Sequence, residues 1–275
     1  MHPRRAIRRA VRIAAIASVL LGPLALRAQS TQQAIEARLK GHPLYLRGQW
    51  KQDKLQFDLS GTTSSRAVSA PFTLCGMDVK RIVLAGDHLE VDGDRVGVEF
   101  DRDNPKRVSL HKKIAIDVTG SLGADYGPAL DKIFADGLTA LVPAMPFYWQ
   151  KYAQAHLLGP PLASLASVPD PPAPRPAPQL LKLLPPNGHY PQLLQGPQVG
   201  MTDAARDLRY RASALIHILV KEDGTAGEPY ITRPVGLGLD EQALYAVAQY
   251  RFRPATDKSG NAIAIDVTIE VNFEP

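Results

Sequence analysis

The amino-acid sequence predicts an α+β protein made of two folded parts and a proline-rich linker. Residues 44–118 alternate apolar and polar side chains in short runs, with Gly, Asp and Asn between them, which is typical of β-strands. Residues 214–273 contain two alternating runs, a run with helical spacing and a third alternating run. The chain has 275 residues, of which 45% are hydrophobic, so it is long enough for two ordinary cores.

The first 28 residues have the three parts of a secretory signal peptide. Basic residues come first, an apolar run from Ile13 to Leu26 follows, and Ala28 precedes Gln29. The apolar run has about 14 residues, whereas a membrane span needs about 20. We therefore predict that residues 1–28 are a cleaved signal peptide, with an uncleaved inner-membrane anchor as the alternative.

The positive charge of the chain belongs to this leader. The formal net charge is +5, but residues 1–28 hold six arginines and no acid, so the net charge of the rest falls to −1. No basic stripe with interleaved aromatic residues remains. A nucleic-acid partner is not expected.

Residues 29–157 are predicted to form a β-rich accessory module, either a sandwich or an open barrel, with helices at its C-terminal end. A short helix is expected over residues 30–40. Apolar residues recur at helical spacing over residues 128–141. A second helix is predicted to begin at Phe147 and to place its aromatic side chains over one end of the module, with a membrane-surface contact as the alternative.

Residues 158–198 are predicted to be a linker. Their prolines exclude regular helix and sheet and favour polyproline II, which makes a semi-rigid spacer between the two folded parts.

The sequence shows no constellation of catalytic or metal-binding residues. The acidic stretches Asp92–Asp94 and Asp101–Asn104 are predicted to be turns, and His217 is a lone histidine on a strand. Cys75 is expected to be a small buried apolar residue on a strand, or else to form an intermolecular disulfide. We predict no enzymatic activity, no cofactor and no metal site.

The C-terminal part is predicted as β-β-α-β. The first strand is Leu215–Val220, an Asp-Gly turn follows, and Glu228–Arg233 returns. A helix begins near Asp240 and Glu241, where negative charge suits a helix N-terminus. Residues 261–273 form the last strand, and its apolar face consists of Ile263, Ile265, Val267, Ile269, Val271 and Phe273.

Residues 199–275 resemble the C-terminal domain of TonB-family energy transducers. The most specific stretch is Phe-Arg-Pro-Ala at residues 252–255, followed by a glycine and a Val-x-Phe strand. The matching motif positions are Gly224, Leu239, Asp240, Ala243, Ala246, Phe252, Pro254 and Gly260.

The resemblance implies a periplasmic interaction protein rather than a catalyst. Its expected partner is an outer-membrane TonB-dependent receptor, of which an extended segment would pair along the last strand, so that the six apolar residues of that strand are the expected binding residues. Energy coupling through an inner-membrane motor complex is a further implication for an anchored chain. The alternatives are a periplasmic scaffold without energy coupling and a homodimer formed through the same strand.

Overall fold

The computed structural model of the protein describes residues 23–64, 66, 68–158 and 188–275. Most of the predicted leader (1–22) and most of the predicted linker (159–187) lie outside the described residues. The elements of the first part are α1 (Pro23–Leu39), β1 (Leu44–Leu46), β2 (Lys54–Asp58), β3 (Gly76–Ala85), β4 (His88–Asp101), β5 (Asn104–Thr119), α2 (Gly127–Ile133), β6 (Phe134–Asp136) and α3 (Phe147–His156).

The six strands of the accessory module form one sheet in the order β2-β5-β4-β3-β1-β6. β2 and β5 are parallel, and the other neighbouring strands are antiparallel. Ile35 and Leu39 of α1, together with Leu130 and Ile133 of α2, pack with the buried side chains of the strands in one apolar cluster. The sandwich alternative is therefore wrong, because helices and not a second sheet complete this core.

Two acidic stretches that look alike in the sequence have different structures. Asp101–Asn104 is the predicted turn, between β4 and β5. Asp92–Asp94, in contrast, lies inside β4, so its prediction as a turn is wrong. A Cβ atom at Gly93 would lie 2.3 Å from the carbonyl oxygen of Asp78 on β3. The glycine is needed there for the close approach of two strands, and not for a reversal of the chain.

The predicted helix over residues 128–141 is interrupted. α2 ends at Ile133, and Phe134–Asp136 pairs with β1 as the outer strand β6. Cys75 is fully buried, as predicted, but it follows a short 3-10 helix (Phe72–Leu74) instead of lying on a strand. Burial raises the pKa of its thiol to about 12.

The second part begins inside the predicted linker. Its elements are β7 (Gln192–Gln195), α4 (Asp203–Asp207), β8 (Ala212–Val220), β9 (Ala226–Arg233), α5 (Leu239–Val247), β10 (Arg251–Arg253), β11 (Ala255–Thr256), β12 (Ala262–Ile263) and β13 (Ile265–Phe273). β7 pairs antiparallel with β10, so the described end of the linker is folded. β8, β9 and β13 form a three-stranded antiparallel sheet with β8 in the centre. The predicted order β-β-α-β is present as β8, β9, α5 and β13.

The last strand is shorter than predicted. Residues 261–273 divide into β12, which pairs with β11, and β13, which pairs with β8. Gly260 has a φ of +85° in the turn before β12. The short hairpin at this turn takes Ile263 out of the three-stranded sheet.

The two parts share one apolar core. Trp149 and Tyr152 of α3 lie in the same cluster of buried residues as Ile216 on β8 and Leu239 on α5. Backbone hydrogen bonds cross the boundary between the two parts, which we call the seam. The Leu237 N–H donates to the Val98 carbonyl oxygen at 2.8 Å, and the Phe100 N–H donates to the Val235 carbonyl oxygen at 3.1 Å. The seam therefore packs the accessory module directly against the C-terminal part.

We predict that Trp149→Ala lowers the free energy of unfolding of the whole described chain by about 3–5 kcal/mol, because it opens a cavity in this shared core. Urea denaturation followed by circular dichroism measures the change. Phe147→Ala is the matched control on the same helix. Its ring is 73% exposed, and the change should stay within about 0.5 kcal/mol. An equally small effect of Trp149→Ala would show that the core is not shared.

Candidate partner-binding edge

β8 is the central strand of the C-terminal sheet, which leaves β9 and β13 as the two outer strands. β13 pairs with β8 in an unbroken register, from Ile265 opposite Val220 to Phe273 opposite Ala212. Each outer strand of such a sheet has one row of backbone groups that β8 does not use. The surroundings of these two rows decide where another strand can be added.

The outer side of β9 is covered by the accessory module. α3 packs against β9, and the Lys151 ammonium lies 3.7 Å from the centre of the Tyr230 ring. Directly after β9, residues 235–237 pair with β4 across the seam. A Cβ atom at Gly236 would lie 2.0 Å from the Val98 carbonyl oxygen, so this approach requires glycine. The accessory module thus packs against β9 and against the segment that follows it.

The outer side of β13 is open. Among the described residues, β8 is the only strand that pairs with β13. The predicted binding residues all lie on β12 and β13, but they are not equally accessible. Ile265, Val271 and Phe273 are buried in the core, whereas Ile263, Val267 and Ile269 are half-buried. A partner at this edge can cover only the second group.

The polar residues of β13 are not among the binding residues expected from the sequence. They alternate with the apolar ones and lie on the other face of the sheet, which we call the open face: Asp266, Thr268, Glu270 and Asn272. His217 Nε2 lies 2.8 Å from Asp266 Oδ1, and an Arg233 Nη2–H donates to Glu270 Oε1 at 3.3 Å. The alternation itself was the signal that could have identified them.

The motif residues of α5 and of the β8–β9 turn lie in the interior of the C-terminal part. Leu239, Ala243 and Ala246 of α5 are buried. Gly224 has a φ of +78°, and a Cβ atom there would lie 2.1 Å from the Phe252 carbonyl oxygen. The Phe252 N–H donates back to the Gly224 carbonyl at 2.8 Å, which joins the β8–β9 turn to β10.

Residues 202–275 match the family model described as the Gram-negative bacterial TonB protein C-terminal. They form a TonB-family C-terminal domain. The chain upstream of Thr202, with the whole accessory module and β7, lies outside this match. No curated protein matches the chain.

Such a domain is typical of TonB-like proteins of cell-envelope transport. The family consists of non-enzymatic transducers and interaction proteins associated with the periplasm and the envelope, and its members contact outer-membrane receptors. No helix within the described ranges has the length and apolar character that a membrane span requires. Within the same ranges, no group of three or more His, Cys, Asp or Glu side chains could hold a metal ion.

Two acids at the start of α5 connect the TonB-family domain to the seam. Asp240 is fully buried and accepts hydrogen bonds from the Val235 N–H at 2.9 Å and the Gly236 N–H at 2.7 Å. It therefore stabilises residues 235–237, the segment that pairs with β4. Burial, with a further contribution from Glu241, raises the pKa of Asp240 well above its ordinary value.

Glu241 bonds directly to the accessory module. Trp149 Nε1–H donates to Glu241 Oε1 at 2.9 Å, while the buried Oε2 atom has no hydrogen-bond partner among the described residues. Burial raises the pKa of Glu241. The sequence had suggested only that both acids suit a helix N-terminus, because the accessory module that buries them is remote in the chain.

We predict that Glu241→Gln flattens the dependence of stability on pH. A carboxyl whose folded-state pKa is raised binds its proton more tightly in the folded chain, so the native chain loses stability as pH rises above 4.5, the ordinary value for glutamate. The unfolding free energy of the native protein should therefore fall relative to that of Glu241→Gln as pH increases.

Chemical denaturation between pH 4 and pH 9 checks this prediction. The two proteins are compared by the slope of their unfolding free energy against pH. A difference in unfolding free energy that is the same at every pH does not bear on the prediction. Glu222→Gln, at an exposed position in the β8–β9 turn, is the control and should keep the native slope. Parallel slopes for Glu241→Gln and the native protein would contradict the prediction.

Proposed function

We propose that the TonB-family domain binds an extended segment of an outer-membrane receptor by adding it as a strand along the outer side of β13. The observation that carries this proposal is the asymmetry of the sheet. The accessory module covers β9, and β13 keeps an open row of backbone groups. Main-chain hydrogen bonds would supply affinity, and side chains on both faces of the added strand would supply selectivity.

The half-buried apolar residues support the same edge. Val267 and Ile269 on β13 pack against the core but keep part of their surface in water. The face of the sheet opposite the open face packs with α5, and we call it the α5 face. An added strand with apolar side chains on the α5 face would remove the rest of the surface of these two residues from water, which favours association. The open face would remain polar.

We propose that the leader exports the chain to the periplasm, where such a receptor segment is accessible. A chain whose leader stays uncleaved would be anchored in the inner membrane, with access to a motor complex, and could couple energy to transport. A cleaved chain would act as a periplasmic scaffold that holds the same segment without energy coupling. The fixed accessory module favours the scaffold, because it occupies a surface of the TonB-family domain.

Site-specific photo-crosslinking tests the proposed edge. Thr268 on β13 and Thr232 on β9 are both exposed and lie on the open face of the two outer strands. We expect a p-benzoyl-phenylalanine at position 268 to crosslink an extended segment of an outer-membrane receptor in cells, with mass spectrometry identifying the crosslinked peptide. The matched probe at position 232 should give a much weaker crosslink to that segment.

Two results would contradict the proposal. Equal crosslinking from both positions would mean that the edge of β13 has no special role. A crosslink from position 268 to a second copy of this chain would identify the edge as a homodimer contact.

A further inference from the structure

The last 17 residues of the chain carry acids and no base. Asp266, Glu270 and Glu274 recur at every fourth position between residues 259 and 275, and no Lys, Arg or His lies among them. Because side chains of a strand alternate between its faces, Asp266 and Glu270 lie on the same face, the open one. β13 is therefore acidic on one face and apolar on the other.

The bases that pair with Asp266 and Glu270 come from the other two strands of the sheet. His217 on β8 contacts Oδ1 of Asp266, and Arg233 on β9 contacts Oε1 of Glu270. Asp266 Oδ2 and Glu270 Oε2 have no hydrogen-bond partner within the part of the chain that the structure describes. The Glu270 side chain is 56% exposed. Both bases lie on the side of β13 that faces β8, so the exposed Glu270 carboxylate keeps an acceptor for another group, while the Asp266 side chain, 21% exposed, contributes its negative charge close to the edge.

A strand added to β13 would have its side chains next to these groups. Side chains directly opposite each other on neighbouring strands are about 5 Å apart, and opposite charges at that distance attract while like charges repel. On the α5 face the same strand would lie against Val267 and Ile269, which are half-buried and apolar. The two faces of β13 thus select for two different kinds of side chain in one alternating segment.

We propose that the segment bound at β13 alternates apolar residues with polar ones and carries basic side chains at the positions opposite Asp266 and Glu270. This inference rests on the proposed function, because it requires that a strand is added at β13. The proposed partner is therefore an extended peptide segment with both basic and apolar side chains.

The same charges disfavour a second copy of the chain at this edge. An antiparallel pairing of two β13 strands centred on Thr268 places Asp266 of each strand opposite Glu270 of the other. A pairing centred on Glu270 places the two Glu270 side chains opposite each other. Like charges directly opposite destabilise both registers.

Fluorescence anisotropy with two labelled heptapeptides and the full chain tests the proposal. One peptide is Val-Lys-Val-Thr-Val-Lys-Val, and the other has glutamate in place of both lysines. Replacing two attractive cross-strand pairs with two repulsive ones should weaken binding on the order of tenfold. The ratio should shrink in 1 M salt, because screening weakens exposed charge pairs.

Glu270→Gln tests whether the preference for the lysine peptide arises at β13. The substitution keeps the size of the side chain and should reduce the preference for the lysine peptide several-fold, whereas Glu222→Gln, in the exposed turn between β8 and β9, should leave the ratio unchanged. Equal affinity for both peptides would overturn the charge preference and leave strand addition intact. A lysine preference that Glu270→Gln does not reduce would overturn the assignment to β13. Binding of neither peptide would overturn this inference, and the crosslink from position 268 would then decide separately on strand addition.

Discussion

A three-stranded antiparallel sheet has two outer strands, and the unpaired backbone groups of each need water, a cover or another strand. The two outer strands of the TonB-family domain have different surroundings. α3 covers β9, and the segment after it pairs with β4 through Gly236, where only glycine allows the approach. β13 keeps its outer groups open. The place where a partner can bind therefore follows from how the accessory module packs against the domain.

The seam combines apolar packing with the buried Asp240 and the half-buried Glu241. Burying carboxylates is unfavourable unless they are hydrogen-bonded, and Glu241 leaves one buried oxygen without a partner among the described residues. The apolar cluster around Trp149 offsets this cost. Asp240 holds the segment that pairs with β4, and Glu241 holds Trp149, so the start of α5 is attached to both sides of the seam. We infer that these acids fix the relative orientation of the two parts.

Local sequence patterns predicted the turns, strands and helices whose structure depends on residues close together in the chain. The Asp-Gly turn, the helix that begins near Asp240 and the alternation of β13 follow from short-range sequence patterns, and the TonB-family domain is confirmed by its family match. The seam was not predictable, because Gly236 and Trp149 gain their roles from residues far away in the chain, Val98 and Glu241. Asp92–Asp94 was misjudged for a related reason: its glycine serves a contact with β3, which no local pattern shows. The acidic face of β13 was visible in the sequence, but its significance depended on knowing which edge is open.

Amide hydrogen exchange of the free full chain, resolved by residue with NMR, tests most directly whether the accessory module closes one side of the sheet and leaves the other open. The amides of Phe100 and Leu237, which bond across the seam, should exchange as slowly as those in the centre of β8, since one core protects them. Along β13, every second amide should exchange quickly, because it points away from β8. Fast exchange at Phe100 and Leu237 beside a protected β8, or uniform protection along β13, would contradict the account.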